Sequence, residues 1–168
     1  MKKFLVSVAV LAFVLTACSD DSPTSANNND NNMGNSNPGF LSIQINGDGW
    51  QAQQNTIVCN FTNDPQLGDI LDIAGTALDG SQITLAISGR EPGVYKFNAD
   101  NMEFDGIVGY TYKKDGQIQN PFLKTSQVTI TAHDPASKTV AGTFQFTTVN
   151  DEFTGVNGSF GNMVYTEK

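Results

Sequence analysis

The sequence predicts an all-β protein, an antiparallel β-sandwich of about nine or ten strands, with an up-and-down β-barrel as the alternative. Three observations predict it. Apolar residues recur at every second position in run after run, the period of a strand with one buried face. Dipeptides that supply positive-φ turn residues fall between those runs. No stretch keeps apolar residues at helical spacing, and 17 Asn, 16 Thr and 16 Gly in 168 residues make a composition poor for helices.

Leu41, Ile43 and Ile45 alternate with Ser42 and Gln44, and Asn46-Gly47-Asp48-Gly49 then supplies a tight turn before Trp50 and Ala52. Asp64-Pro65 marks a looser turn and Asp79-Gly80 a tight one. Between Asp79-Gly80 and Pro92-Gly93, Ile83, Leu85 and Ile87 alternate with Thr84, Ala86 and Ser88. Met102, Phe104, Val108, Tyr110 and Tyr112 share one parity, interrupted at Gly106, and lead to Asp115-Gly116. Val128 and Ile130 face away from Thr129 and Thr131 before Asp134-Pro135. Val140, Phe144 and Phe146 face away from Thr143, Gln145 and Thr147, and Asn157-Gly158 supplies a last tight turn. Short connections require antiparallel pairing, because a parallel pair needs a crossover segment. Each apolar face is buried against a second sheet or inside a closed barrel, and the strand pattern does not separate the two.

Residues 1–17 are expected to be a signal peptide. Lys2 and Lys3 form a positive start, and the apolar run from Phe4 to Leu15 is broken only by Ser7. As a helix that run would span roughly 18 Å, too short for a hydrocarbon core of about 30 Å. Leu15-Thr16-Ala17-Cys18 resembles the bacterial lipobox, whose cysteine is diacylated at its thiol, with the leader cut just before it and the new amine usually acylated. The resemblance makes Cys18 the lipidation site, and two or three acyl chains form a stable membrane anchor. Ser19-Asp20-Asp21 is similar to an acidic signal that sends some lipoproteins to the outer face of the outer membrane; a solvated tether is the alternative. The expected location is the outer membrane, facing the cell surface or, alternatively, the periplasm.

Residues 18–38 are then a lipidated cysteine plus an Asn-rich tether, since Asn27 to Pro38 offers almost nothing to bury. Residues 39–168 form a single β domain. Removing the two leader lysines leaves 7 basic against 17 acidic groups, a net charge of −10. Such a body repels phosphate and releases no counterions, which excludes nucleic acid as a partner.

Several segments together resemble an uncharacterised family of Bacteroidota lipoproteins, a domain of unknown function of about this length. They are Ile43-Gln44-Ile45-Asn46-Gly47 with Trp50 and Ala52, Pro92-Gly93-Val94-Tyr95, Val128-Thr129-Ile130-Thr131 with Asp134, Lys138 to Phe146, and Asn157-Gly158-Ser159-Phe160. The resemblance implies an all-β, lipid-anchored envelope protein and carries no catalytic residues.

Chemistry is sparse. His133 is the one imidazole, and beside Asp134-Pro135 it reads as a surface turn residue rather than a catalytic base. Cys59, flanked by Ile57, Val58 and Phe61, reads as a small core residue. Usual zinc sets need more His and Cys than this chain has, and neither a metal nor a cofactor is expected. Asp100, Glu103 and Asp105 cluster, with Glu103 and Asp105 on the solvent side of a strand whose buried side holds Met102 and Phe104. Trp50, Tyr95, Tyr110, Tyr112 and Tyr165 are candidates for a sugar platform, although burial in the core is the more common fate of strand aromatics and the favoured reading. The expectation is a non-catalytic surface module that binds a glycan or an envelope protein, or serves a structural role. A polysaccharide hydrolase using paired carboxylates is the alternative.

Overall fold

The computed structural model describes residues 39–64 and 68–168. The leader, Cys18 and the tether lie outside the described residues. Among the described residues thirteen strands follow in chain order: β1 (Phe40–Ile45), β2 (Asp48–Gln51), β3 (Val58–Asp64), β4 (Gly68–Thr76), β5 (Gln82–Ile87), β6 (Gly93–Asn98), β7 (Glu103–Phe104), β8 (Gly106–Lys114), β9 (Gln117–Gln119), β10 (Leu123–Asp134), β11 (Thr139–Thr148), β12 (Thr154–Val164) and β13 (Thr166–Glu167). One sheet runs β2-β1-β12-β11-β10-β6-β7 and the other β13-β3-β4-β5-β8-β9. The sheets stay open rather than closing into a barrel, so the architecture is the sandwich.

The alternation read from the sequence matches the burial. Leu41, Ile43 and Ile45 point inward from β1, Ile83, Leu85 and Ile87 from β5, and Val140, Phe144 and Phe146 from β11. Two connections have the expected hairpin chemistry. Asn46 and Gly47 (φ 52° and 92°) join β1 to β2, and Asp115 and Gly116 (φ 52° and 79°) join β8 to β9. Positive φ at both central residues is the type I′ geometry, whose twist matches that of the flanking strands.

Four expectations are corrected. The strand count exceeds nine or ten because β7, β9 and β13 are only two or three residues long, too short for any alternation to be read. The pairing is not wholly antiparallel, since β13 runs parallel to β3. Met102 and Phe104 are not on a buried face: they are 78% and 54% exposed, because Met102 (φ 56°) belongs to the turn before β7 at the sheet edge. Asn157-Gly158 is not a hairpin turn. It lies inside β12, where the pairs Ser42–Ser159 and Gln44–Val156 leave two residues opposite Ile43 alone. Asn157 takes φ 55° there, so the positive-φ residue builds a β-bulge instead of a turn. Asn162 (φ 51°) does the same farther along β12, opposite Ala141.

Two buried serines tie the layers together. Trp50 reaches from β2 to the Ser81 hydroxyl before β5, at 2.7 Å. Where β8 crosses the first sheet, Ser126 of β10 donates its hydroxyl to the Gly106 carbonyl at 2.6 Å and accepts the Val108 N–H at 3.2 Å. Gly106 permits that crossing, since a Cβ there would stand 2.5 Å from the Tyr95 carbonyl oxygen. Among the described residues no helix is long and apolar enough to cross a membrane.

Candidate functional site

The same alternation that buries Val128, Ile130, Phe144 and Phe146 turns their neighbours outward from the seven-stranded sheet, and pairing aligns those neighbours in rows across the strands. One row is Val94, Thr129, Thr143, Ser159 and Ser42, from β6 to β1. A second is Lys96, Gln127 and Gln145, ending at the β12 bulge. A third is Glu103, Asn98, Thr125, Thr147 and Thr154.

This surface is hollowed. Three depressions of about 450, 280 and 510 Å³ lie on it, and Gln127 lines all three. Gln145 is shared by the first two, and Lys96 and Glu103 by the first and third. The depressions therefore form one trough crossing the strands. Several of its groups are held in place: Asn157 donates to the Gln44 side-chain oxygen at 3.0 Å, Ser42 and Ser159 hydroxyls lie 3.3 Å apart, and Gln127 donates to Thr129 at 3.4 Å. The bulge is what turns the Asn157 amide toward this face. Glu103 and Asp105 line the third depression together with Lys96, so these two acids point to solvent as expected from the sequence.

A second polar cluster lies elsewhere, and it overturns the reading of His133. Its side chain is 2% exposed. The Nε2 atom is 3.0 Å from the Tyr165 hydroxyl, and Nδ1 is 3.4 Å from the Glu91 carboxylate. Arg90, the sole arginine, donates to the same hydroxyl at 3.4 Å and to Glu167 at 3.3 Å, while its guanidinium stacks 4.0 Å over the Phe61 ring. With Arg90 as donor to the Tyr165 oxygen, the tyrosine proton is free for Nε2, and Nδ1–H faces Glu91. The sequence places His133 beside a turn, but Glu91 and Tyr165 come from remote segments to cover the ring. Asp134 takes no part in orienting the imidazole. It accepts from the Ala136 N–H and the Ser137 hydroxyl at 2.9 and 2.8 Å, and these bonds hold its carboxyl below the usual range. The Lys138 ammonium, and secondarily Arg90, likewise hold Glu167 low. A carboxylate, an imidazole and a hydroxyl in line resemble a proton relay, yet the hydroxyl at its end belongs to Tyr165, a core residue 2% exposed.

Cys59 is buried, and that burial pushes its thiol up to about 12, with Asp72 adding to the effect. The five aromatics do not make a platform on the trough. Trp50 and Tyr165 are core residues, and Tyr95 points to the opposite side of its sheet, its hydroxyl donating to the Glu91 carbonyl at 2.8 Å. Tyr110 and Tyr112 stack at 5.8 Å and both pack on Phe153. Among the described residues no three His, Cys, Asp or Glu side chains are grouped to hold a metal ion.

The trough residues Gln127, Gln145 and Asn157 were not singled out from the sequence as a site. The available signal was the polar half of the alternation, Gln127-Thr129 and Thr143-Gln145-Thr147, which is uncharged in a strongly acidic chain.

No curated protein and no solved structure matches this chain. Residues 37–165 match a family described as a domain of unknown function, DUF6252, and the chain belongs to that family.

Proposed function

We propose that this chain is a lipid-anchored cell-envelope module of the Bacteroidota type, without catalysis of its own, held through Cys18 and presenting the trough of its seven-stranded sheet to a ligand. The observation that carries the reading is the continuous trough centred on Gln127. Its groups bind and orient; they include neither the imidazole nor the thiol, both of which are packed into the fold. The leader, Cys18 and the Asn-rich tether support the anchor and an outer-membrane location.

Metabolic labelling with an alkyne fatty acid tests the anchor. Label on the wild-type chain and none on the Cys18→Ala variant is the expected result; equal labelling would refute it.

A second reading, a polysaccharide hydrolase, draws support from Glu103 and Asp105 lining one depression. It predicts release of reducing ends by the wild-type chain, abolished by Glu103→Gln or Asp105→Asn.

A further inference from the structure

We propose that the trough takes a neutral polysaccharide, laid across the strands with Gln127 at its centre. This rests on the reading of that face as the binding surface and adds the chemistry of what it binds.

Charge argues first. The chain carries a net charge of −8, yet from β10 onward the rows through Gln127, Thr129 and Thr143 present amides and hydroxyls, with Lys96 and Val94 only at their β6 end. Ionised groups of the trough, Lys96, Glu103 and Asp105, are confined to its β6–β7 end. A polyanion would meet one lysine between two acids on an acidic body, and a polycation would find acids at one end only. A neutral ligand meets no such mismatch.

The kind of polar group argues next. Amide and hydroxyl side chains both donate and accept, as sugar hydroxyls do, so such a ligand can satisfy every group it desolvates. The Asn157–Gln44 and Gln127–Thr129 bonds fix several of these groups before the ligand arrives, which lowers the ordering cost of binding. Val94 and Val156, 56% and 39% exposed, give apolar contacts for the C–H faces of sugar rings. A protein partner fits less well, because the rows contain no arginine or aromatic side chain to anchor it. Four steps between the five strands of the first and third rows span about 19 Å, room for an oligosaccharide segment.

The test uses the full chain in detergent micelles, titrated calorimetrically with a β-glucan, a galactomannan, a xylan, alginate and polygalacturonate. The expected result is saturable binding of at least one of the three neutral polymers. A Gln127→Ala/Gln145→Ala variant should bind at least tenfold more weakly while melting within a degree or two of wild type. Thr143→Glu, at an exposed position, should give the same loss if the double variant misfolds. Binding of no neutral polymer, or neutral binding that both variants leave unchanged, would overturn the proposal. Binding of the acidic polymers alone, lost in the variants, would also overturn it, while leaving the trough standing as the binding surface.

Discussion

The indole N–H of Trp50 donates to the hydroxyl of Ser81 at 2.7 Å, and this one bond links β2 of the seven-stranded sheet to the turn leading into β5 of the other. Ser81 is 1% exposed and in turn donates to the Asp79 carboxylate. Removing the hydroxyl leaves a buried indole donor without a partner, which costs about 1–3 kcal/mol. Ser81→Ala is therefore expected to lower the melting midpoint by several degrees. Trp50→Phe in the Ser81→Ala background should add less than it does alone, because the shared bond is already gone; a double-mutant cycle on thermal melting measures this.

Asp79 carries a pH signature. The side-chain and backbone hydrogen bonds from Ser81 hold its carboxyl below the usual value of 3.8. A depressed folded-state value contributes stability that is present above the unfolded value and is lost as pH falls through the folded one. Asp79→Asn should thus flatten the loss of stability below about pH 4 relative to wild type, as read from melting midpoints at pH 3 and pH 6.

Cys59 gives the opposite signature. Its thiol is raised from 9.0 to about 12, first by burial and then by the Asp72 carboxylate. A raised folded-state value contributes stability that is complete below the unfolded value and is lost as pH rises from there toward the folded one. Cys59→Ala should cost stability at pH 7, because it leaves a small cavity, but its deficit should shrink between pH 9 and pH 11. Iodoacetamide at pH 8 should leave the native thiol largely unmodified and alkylate it readily in urea.

Around His133 the two neighbours should behave differently. His133→Ala leaves the Tyr165 hydroxyl without its imidazole partner in a buried site, for an expected loss of about 1–3 kcal/mol. Glu91 is 76% exposed on the other side of the ring, so Glu91→Gln should cost less than about 1 kcal/mol. His133→Ala removes both contacts and Glu91→Gln only one, so equal losses in urea unfolding would mean that the Glu91 contact carries the whole effect and the buried hydrogen bond none.

What was legible in the sequence was periodic. The Leu41-Ile43-Ile45 and Ile83-Leu85-Ile87 runs announce one buried face each, and Asn46-Gly47 and Asp115-Gly116 announce their hairpins. What was not legible depends on residues far apart in the chain. His133 is buried by Glu91 and Tyr165, 42 and 32 residues away in opposite directions. The trough exists only once pairing sets Lys96, Gln127 and Gln145 side by side. Asn157-Gly158 shows the limit most clearly, because a positive-φ asparagine serves a hairpin or a bulge equally well, and only the partner strands choose.

That bulge joins fold to trough, and two substitutions at Asn157 separate its roles. Its φ of 55° is tolerated by asparagine and glycine but disfavours a β-branched side chain. Asn157→Val should destabilise by about 1–3 kcal/mol, the usual size of a strained backbone position. Asn157→Gly keeps the bulge and removes only the amide that donates to Gln44, so its melting midpoint should stay close to wild type. Polysaccharide binding by that glycine variant should still weaken, since the Asn157 amide that lines the trough is gone. A glycine variant that melts as low as the valine one would show instead that the Asn157–Gln44 bond, rather than the backbone angle, holds the bulge together.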